Sequence, residues 1–137
     1  MNYAAENIRD RIKELTDGRG ADVIFDAVGG DAFDQSMRSI AWDGRLLVVG
    51  FASGRIPSAP ANLILVKSIS VIGVHWGEFA KRDPARCQAE FEQMFDWYRA
   101  GKLKPHVSAT YALDQAKAAM NAASSARAAF QFTTSGR

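Results

Sequence analysis

The chain has 137 residues, of which 47% are hydrophobic and 23% are charged, a composition typical of a globular protein rather than a disordered one. Its 17 basic and 15 acidic residues leave a net charge of +2, too small to indicate binding to nucleic acid or to an anionic membrane. The single cysteine, Cys87, excludes a disulfide within the chain and a thiolate zinc cluster built by one chain. No apolar run is long enough to cross a bilayer and residues 1–6 lack the pattern of a secretory signal, so we expect a cytoplasmic protein.

The first half of the chain alternates helices with short apolar strands. Ile8, Ile12 and Leu15 recur at the spacing of one helix face. Asp31 stands where it could cap the second helix. The segment 22–28 is short, β-branched and apolar apart from Asp22 and Asp26, as a strand covered on both faces is, and we expect 45–51 to be a second buried strand. We predict, in order, a helix over 4–17, a strand over 22–28, a helix over 32–42 and a strand over 45–51.

The second half begins with a loop rich in glycine and proline. Further along, Asp83 and Pro84 have the order of an N-cap followed by proline at the first helical position. Behind them Phe91, Met94 and Tyr98 belong to an apolar stripe that we expect to be core. We predict a helix over 62–67, a strand over 68–76, a helix from 84 to about 100, strands over 107–111 and 129–134, and a helix over 115–125.

Strands joined by helices of this length form a parallel sheet with right-handed crossovers. The predicted fold class is therefore α/β: a partial Rossmann-type doubly wound parallel sheet with helices on both faces. We expect residues 1–137 to form one domain, because the chain is too short for two separate cores.

Ligands of an open parallel sheet bind outside the carboxyl ends of its strands. Here those ends are residues 26–30, 49–54 and 74–77, and each contains glycine, which lets the backbone approach a ligand closely. Bare peptide groups would suit a nicotinamide ring, whose carboxamide needs one donor and one acceptor. The alternative is that these glycines only form turns.

The usual sequence motifs of catalysis and phosphate binding are missing. There is no Gly-x-Gly-x-x-Gly, no P-loop, no Gly-x-Ser-x-Gly and no His-Glu-x-x-His. Asp26, at a strand end, could serve as a base or ribose acceptor, or could bind the amides of the adjacent turn. Cys87 lies on the apolar face of its helix, so a buried thiol is the expectation. We assign no catalytic residue and no metal ligand.

Four segments in fixed order carry a family resemblance. Together they resemble the quinone oxidoreductase branch of the medium-chain dehydrogenase/reductases: Asp22–Gly30, Gly44–Gly54, Asn62–Val74 and Gly101–Pro105. The resemblance covers nearly the whole chain but only the later part of the family's architecture. It implies that a GroES-like catalytic domain and a glycine-rich first turn would lie before Met1.

The resemblance implies a parent like an NADPH:quinone reductase, which uses the cofactor NADP (or NAD) and passes hydride from its reduced form, NADPH (or NADH), to a quinone or an α,β-unsaturated carbonyl without zinc. It places Tyr3 on the adenosine side. Because the pyrophosphate-binding turn is missing, we expect this portion to be inactive alone, with weak or no cofactor binding. The residues that the resemblance places at the nicotinamide are Val28, Gly29, Val49, Gly50, Phe51, Val74 and Trp76.

The family's strand order also predicts how the sheet edges behave. The strand 22–28 would pair with an absent first strand and leave a bare apolar edge. The strand 69–75 would form the other edge and pair with its mate in a homodimer. Two other classes stay open: a non-enzymatic dimerisation or interaction module, and a class I methyltransferase-like fragment, which 22–26 and 42–49 also resemble.

Overall fold

A computed structural model describes residues 7–107, 109–125 and 131–133. The chain divides into a sheet unit, Met1–Val74 with Ala128–Arg137, and a helical unit, His75–Arg127. The strands are β1 Ala21–Asp26, β2 Ile40–Val48, β3 Ser70–Gly73 and β4 Gln131–Thr133. The helices are α1 Ile8–Leu15, α2 Gly30–Ser39, α3 Ala61–Lys67, α4 Trp76–Arg82, α5 Pro84–Arg99 and α6 Ala116–Ser125, with a 3₁₀ turn at Leu113–Gln115.

The sheet has the order β3-β2-β1-β4. β1, β2 and β3 are parallel, with Ile24 opposite Leu46 and Leu46 opposite Val71. Two residues further along each strand, Asp26 lies opposite Val48, and Val48 lies opposite Gly73. The prediction of an α/β fold with a parallel, Rossmann-type sheet is confirmed.

The core of the sheet unit lies on one face of this sheet. Ile24 and Leu46 are fully buried there, and side chains of α1 and α2 pack over them. Leu63 and Ile64 bring α3 to the same cluster. Burying an aliphatic or aromatic side chain of this size contributes about 1.5–3 kcal/mol. The buried cluster consists of Ile8, Ile12, Ala21, Ile24, Phe33, Met37, Ile40, Leu46 and Ile69.

The start of β2 differs from the prediction. The strand begins at Ile40, not at residue 45, and passes through Asp43, which has a left-handed φ of 60°. Ala21 pairs with Ile40 whereas Val23 pairs with Arg45, so β2 is bulged between them. Asp43 and Gly44 have the composition of a turn and were predicted as one. They lie instead within the bulge, and β2 pairs with β1 again from Arg45 onward.

The edge of β1 is not bare, and this expectation was wrong. β4, which was predicted as an edge strand over 129–134, pairs antiparallel with β1 through Val23, Ile24 and Phe25. Their backbone groups therefore have partners within this chain. Leu15, the last residue of α1, is exposed, although the sequence places it on one helix face with the buried Ile8 and Ile12.

At the start of the helical unit the predicted strand is wrong, whereas the predicted helix start at Asp83 is confirmed. Residues 75–76 do not extend β3, because Trp76 begins α4. Asp83 caps α5, accepting a hydrogen bond from the Arg86 amide at 3.0 Å, and Pro84 follows as predicted. Residues 107 and 109–111 form no strand.

The apolar stripe of α5 is exposed rather than buried. No described residue of this helix is buried. The Phe91 ring lies 5.9 Å from that of Trp76 and 6.4 Å from that of Phe95. The prediction of a core stripe is therefore wrong within this unit. With the segment that follows, the stripe lines an open apolar groove of about 470 Å³, formed by Phe91, Met94, Phe95, Tyr98, Leu103, Pro105 and Val107.

Candidate functional site

The carboxyl ends of the three parallel strands lie side by side. The amides of Val49 and Gly50 donate to the carbonyl oxygen of Asp26 at 2.8 and 3.4 Å. The amide of Val74 donates to the carbonyl oxygen of Val48 at 2.8 Å. These bonds extend the strand pairing beyond the ladder, so the residues after β1, β2 and β3 form one continuous edge.

Asp26 shapes the turn after β1. Its side chain is buried, and its Oδ1 accepts hydrogen bonds from the amides of Val28 at 2.8 Å and Gly29 at 2.9 Å. Of the roles considered for this residue, the structure shows the binding of turn amides. These charge-assisted bonds offset part of the cost of burying a carboxyl group. Its other oxygen, Oδ2, has no hydrogen-bond partner among the described residues.

The glycines after β1 are required by a close approach of another segment. Gly29 and Gly30 have positive φ values of 68° and 56°. A Cβ at Gly29 would lie 2.9 Å from Cδ1 of Phe51, and one at Gly30 would lie 2.7 Å from Oγ of Ser53. Only glycine fits both positions. They are therefore more than turn formers: they form a seat for residues 51–55, which we call the 51–55 loop.

Backbone hydrogen bonds fix the 51–55 loop on that seat. The amides of Ala52 and Ser53 donate to the carbonyls of Ala27 and Val28 at 3.1 and 2.9 Å. The amide of Gly30 donates to the carbonyl of Arg55 at 3.0 Å. The turn after β1 and the loop after β2 are thus joined from both sides.

This arrangement leaves fewer free peptide donors than the sequence predicts. The amides of Val28, Gly29, Val49 and Gly50 are all bound to acceptors of the protein. Across residues 7–107, 109–125 and 131–133, no hydrogen bond takes up the carbonyls of Val49 and Gly50 or the amide of Phe51. The Phe51 side chain stays 42% exposed although it lies against Gly29. Considering the described residues alone, one donor, two acceptors and an aromatic ring are without a hydrogen-bonding or covering partner at this edge.

The structure brings together six of the predicted site residues. In the sheet unit, Val28 and Gly29 follow β1, Val49–Phe51 follow β2 and Val74 follows β3. Trp76 belongs to the helical unit, where its ring contacts Phe91. Tyr3 lies outside the described residues.

Sequence reasoning missed the role of Arg55. Its Nη2 lies 3.0 Å from Oδ1 of Asp31 and 2.5 Å from Oδ2 of Asp34, both in α2. The hydrogen bond with Asp34 is the main reason why the pKa of the Arg55 guanidinium is raised. The prediction that Asp31 caps α2 is wrong, because Gly29 is the N-cap and Asp31 lies in the first turn of the helix. No local pattern signals these contacts, because Asp31 and Asp34 lie 24 and 21 residues before Arg55 in the sequence.

Metal-ligand clusters and membrane-spanning helices are both absent from the described ranges. No group of three or more His, Cys, Asp or Glu side chains there could hold a metal ion. None of the helices described has the length and apolar character needed to cross a membrane.

The parallel sheet and its glycine-bearing strand ends define part of a Rossmann-type cofactor domain of the medium-chain dehydrogenase/reductase class. Residues 1–129 match the family model of zinc-binding dehydrogenases. The chain belongs to this family, and the resemblance to its quinone oxidoreductase branch is confirmed. This membership contradicts the methyltransferase alternative.

Similar proteins agree with that assignment. A quinone oxidoreductase-like protein 2 homolog from Nematostella vectensis is 48% identical over 116 residues, which are 84% of this chain and 32% of the relative. A Pseudomonas syringae quinone oxidoreductase superposes with a TM-score of 0.75 at 30% identity, covering 93% of this chain and 39% of that one. A mycobacterial protein solved in complex with NADPH gives 0.70 at 27% identity, covering 82% and 35%. The chain thus spans about a third of the length of the curated relatives it matches.

Proposed function

We propose that the chain supplies the nicotinamide side of the cofactor domain in an NADPH-dependent reductase of quinones or α,β-unsaturated carbonyls. The observation that carries this proposal is the joined edge after β1, β2 and β3, where the Phe51 ring and free backbone groups stand together. Relatives named quinone oxidoreductase and a structural neighbour solved with NADPH support it. Two further assignments are carried over from the family resemblance alone: Trp76 to the nicotinamide and Tyr3 to the adenosine side.

The residues at this edge fit a nicotinamide. When bound, the dihydronicotinamide supplies hydride from its C4. The Phe51 amide is a donor and the carbonyls of Val49 and Gly50 are acceptors for a carboxamide. The exposed Phe51 ring offers an apolar surface for a flat ring, and Val74 continues the same edge after β3. The contribution of the chain is orientation of the reacting ring.

No residue of the chain is proposed as a catalytic acid or base. Asp26 is occupied by turn amides, and hydride transfer needs positioning more than proton transfer at this edge. The pyrophosphate of a dinucleotide is bound by a glycine-rich helix N-terminus that this sequence lacks. We therefore propose that the isolated chain is inactive and binds NADPH (or NADH) only weakly.

Titration of the ¹⁵N-labelled chain with NADPH tests the site. We expect amide shifts confined to Gly29, Gly50, Phe51 and Val74, with a Kd on the order of 1 mM. Phe51→Ala should abolish the shifts, whereas Ile56→Ala, which removes an exposed apolar side chain nearby, should not. Shifts that avoid the strand ends, or a low-micromolar Kd, would contradict the proposal.

The free edge of the sheet supports a homodimer. β3 pairs with β2 on one side, and no described strand pairs with its other side. Ile72 on this strand is 40% exposed. We propose that two copies pair through the edge 69–75, since an uncovered apolar edge favours association. Light scattering should give a dimer that Ile72→Lys dissociates and Leu15→Lys leaves intact; a monomeric wild type would refute the pairing.

An interaction module without enzymatic activity is the second candidate. The pairing of β4 with β1 favours it, because the chain covers with its own residues the edge where the family's sheet continues. A stable dimer that shows no NADPH-dependent shifts at any concentration would support the module over the reductase. A cytoplasmic location stays a prediction in both cases.

A further inference from the structure

The 51–55 loop lies on the surface with little packing of its own. Every residue from Phe51 to Ile56 is exposed, and Gly54 would meet nothing within 4 Å if it carried a Cβ. The Gly30 amide is buried, but its acceptor, the Arg55 carbonyl, belongs to this exposed loop, and exposed segments with few buried contacts open easily. Something other than apolar burial must therefore hold this loop against Gly29 and Gly30.

We propose that Arg55 is a positioning residue whose guanidinium bridges Asp31 and Asp34 and thereby keeps the 51–55 loop, with the Phe51 ring, seated on Gly29 and Gly30. The Arg55 side chain is half exposed and makes the ion pairs that tie this loop to the body of α2. Its own carbonyl accepts the Gly30 amide, so the side chain and the backbone of one residue bind the same helix end.

The charges around α2 make the bridge dependent on both carboxylates. Asp31 and Asp34 are three residues apart and so face the same side of the helix. Arg55 Nε lies 3.6 Å from the position that a Cβ of Gly30 would occupy, at the N-terminal end of α2. The dipole of a helix makes this end unfavourable for a cation. Without the two carboxylates, Arg55 would therefore be repelled rather than merely released.

The bridge determines where Phe51 stands. The Phe51 ring and the Arg55 carbonyl lie against the same glycine, since the Cβ position of Gly29 is 2.9 Å from Phe51 Cδ1 and 3.1 Å from the Arg55 carbonyl oxygen. The effect of this bridge on nicotinamide binding rests on the proposed function, whereas its effect on the position of the 51–55 loop does not. Because both ion pairs face solvent, salt should loosen the loop.

Amide hydrogen exchange of the chain, read by NMR, tests the bridge. In Arg55→Ala we expect exchange of the Gly30, Ala52 and Ser53 amides to accelerate about three- to tenfold, as the loss of two exposed ion pairs implies. The double change Asp31→Asn and Asp34→Asn should have at least the same effect. Amides of the central strand β2 should be unchanged in all variants.

Controls separate positioning from general stability. Arg99→Ala breaks a comparable exposed pair with Asp96 and should leave the three amides unchanged. Added NaCl should accelerate their exchange in the wild type and not in Arg55→Ala. Unaltered exchange in Arg55→Ala, or acceleration spread equally over β2, would overturn the inference.

The same samples distinguish this inference from the proposed function. If NADPH shifts no amide of the wild type but Arg55→Ala still frees the loop, the cofactor proposal fails and the bridge stands. If NADPH shifts the strand-end amides equally in the wild type and in Arg55→Ala, the cofactor site stands and Arg55 does not position Phe51.

Discussion

Replacing Lys67 by methionine tests how the sheet unit ends its helix α2. The Lys67 ammonium donates to the carbonyls of Met37, Arg38 and Ile40 at 3.1, 2.9 and 3.2 Å. The last carbonyls of a helix have no partner within the helix, and α2 ends at Ser39. Lys67 comes 27 to 30 residues later in the chain, yet it binds three acceptors at this helix end. Methionine keeps the length of the side chain and removes the charge.

The expected loss follows from opposing contributions. Hydrogen bonds to a charged group contribute about 1.5–3 kcal/mol, and a cation at a helix C-terminus adds about 0.3–1 kcal/mol. Burial of the ammonium acts in the other direction: desolvation, and then repulsion by Arg9, lowers the pKa of Lys67. We therefore expect Lys67→Met to lower the free energy of unfolding by about 2 kcal/mol.

Urea unfolding of the wild type and two variants measures this loss. Lys81→Met is the matched control, because Lys81 is exposed and reaches only Glu78, at 4.0 Å. It should change the free energy of unfolding by less than about 0.5 kcal/mol. In a thermal scan Lys67→Met should lower Tm by about 6 °C. A loss no larger than that of the control would show that water replaces the ammonium at these carbonyls without cost.

Three further outcomes are expected. Gly29→Ala should lower the free energy of unfolding in urea by about 1–3 kcal/mol, since its φ is positive and its Cβ would collide with Phe51, whereas Gly73→Ala, with open space around it, should be nearly neutral. Asp26→Ala leaves two turn amides without their acceptor and should cost about 2–4 kcal/mol in the same assay, whereas Asp26→Asn, which keeps an acceptor oxygen, should cost less. The pKa of Lys67 is lowered from 10.5, so the unfolded chain binds more protons in the alkaline window below that value. The contribution of Lys67 to stability should rise with pH there, and Lys67→Met should remove this slope from urea midpoints measured across the window.

Local patterns were sufficient to predict β1, α2 and the region where the strand ends meet. The run 22–28 is apolar apart from Asp22 and Asp26, and glycine follows it, so strand and turn are both visible in the sequence. α5 begins where Asp83 and Pro84 predict it, because an N-cap and a first-turn proline act within a few residues.

Contacts between distant residues could not be predicted in this way. The contact of Arg55 with Asp34 depends on the pairing of β2 with β1. The contact of Lys67 with α2 depends on the packing of α3 against the sheet. The use of the strand-end amides by the 51–55 loop is equally a product of the folded arrangement. For this reason the sequence predicts where the candidate site lies more accurately than it predicts which backbone groups there are free to bind a ligand.

The bulge in β2 determines where the length of the chain can change along this strand. From Ala21 to Val23 β1 advances two positions while β2 advances five, from Ile40 to Arg45, so β2 holds three extra residues there. The bulge takes up this odd number without disturbing the later register, in which Leu46 lies opposite Ile24. Inside the paired run 45–48, by contrast, a shift of one residue would move Leu46 from the buried face of the sheet to the other face. Insertions and deletions should therefore be tolerated better within the bulge than in the paired run that follows it.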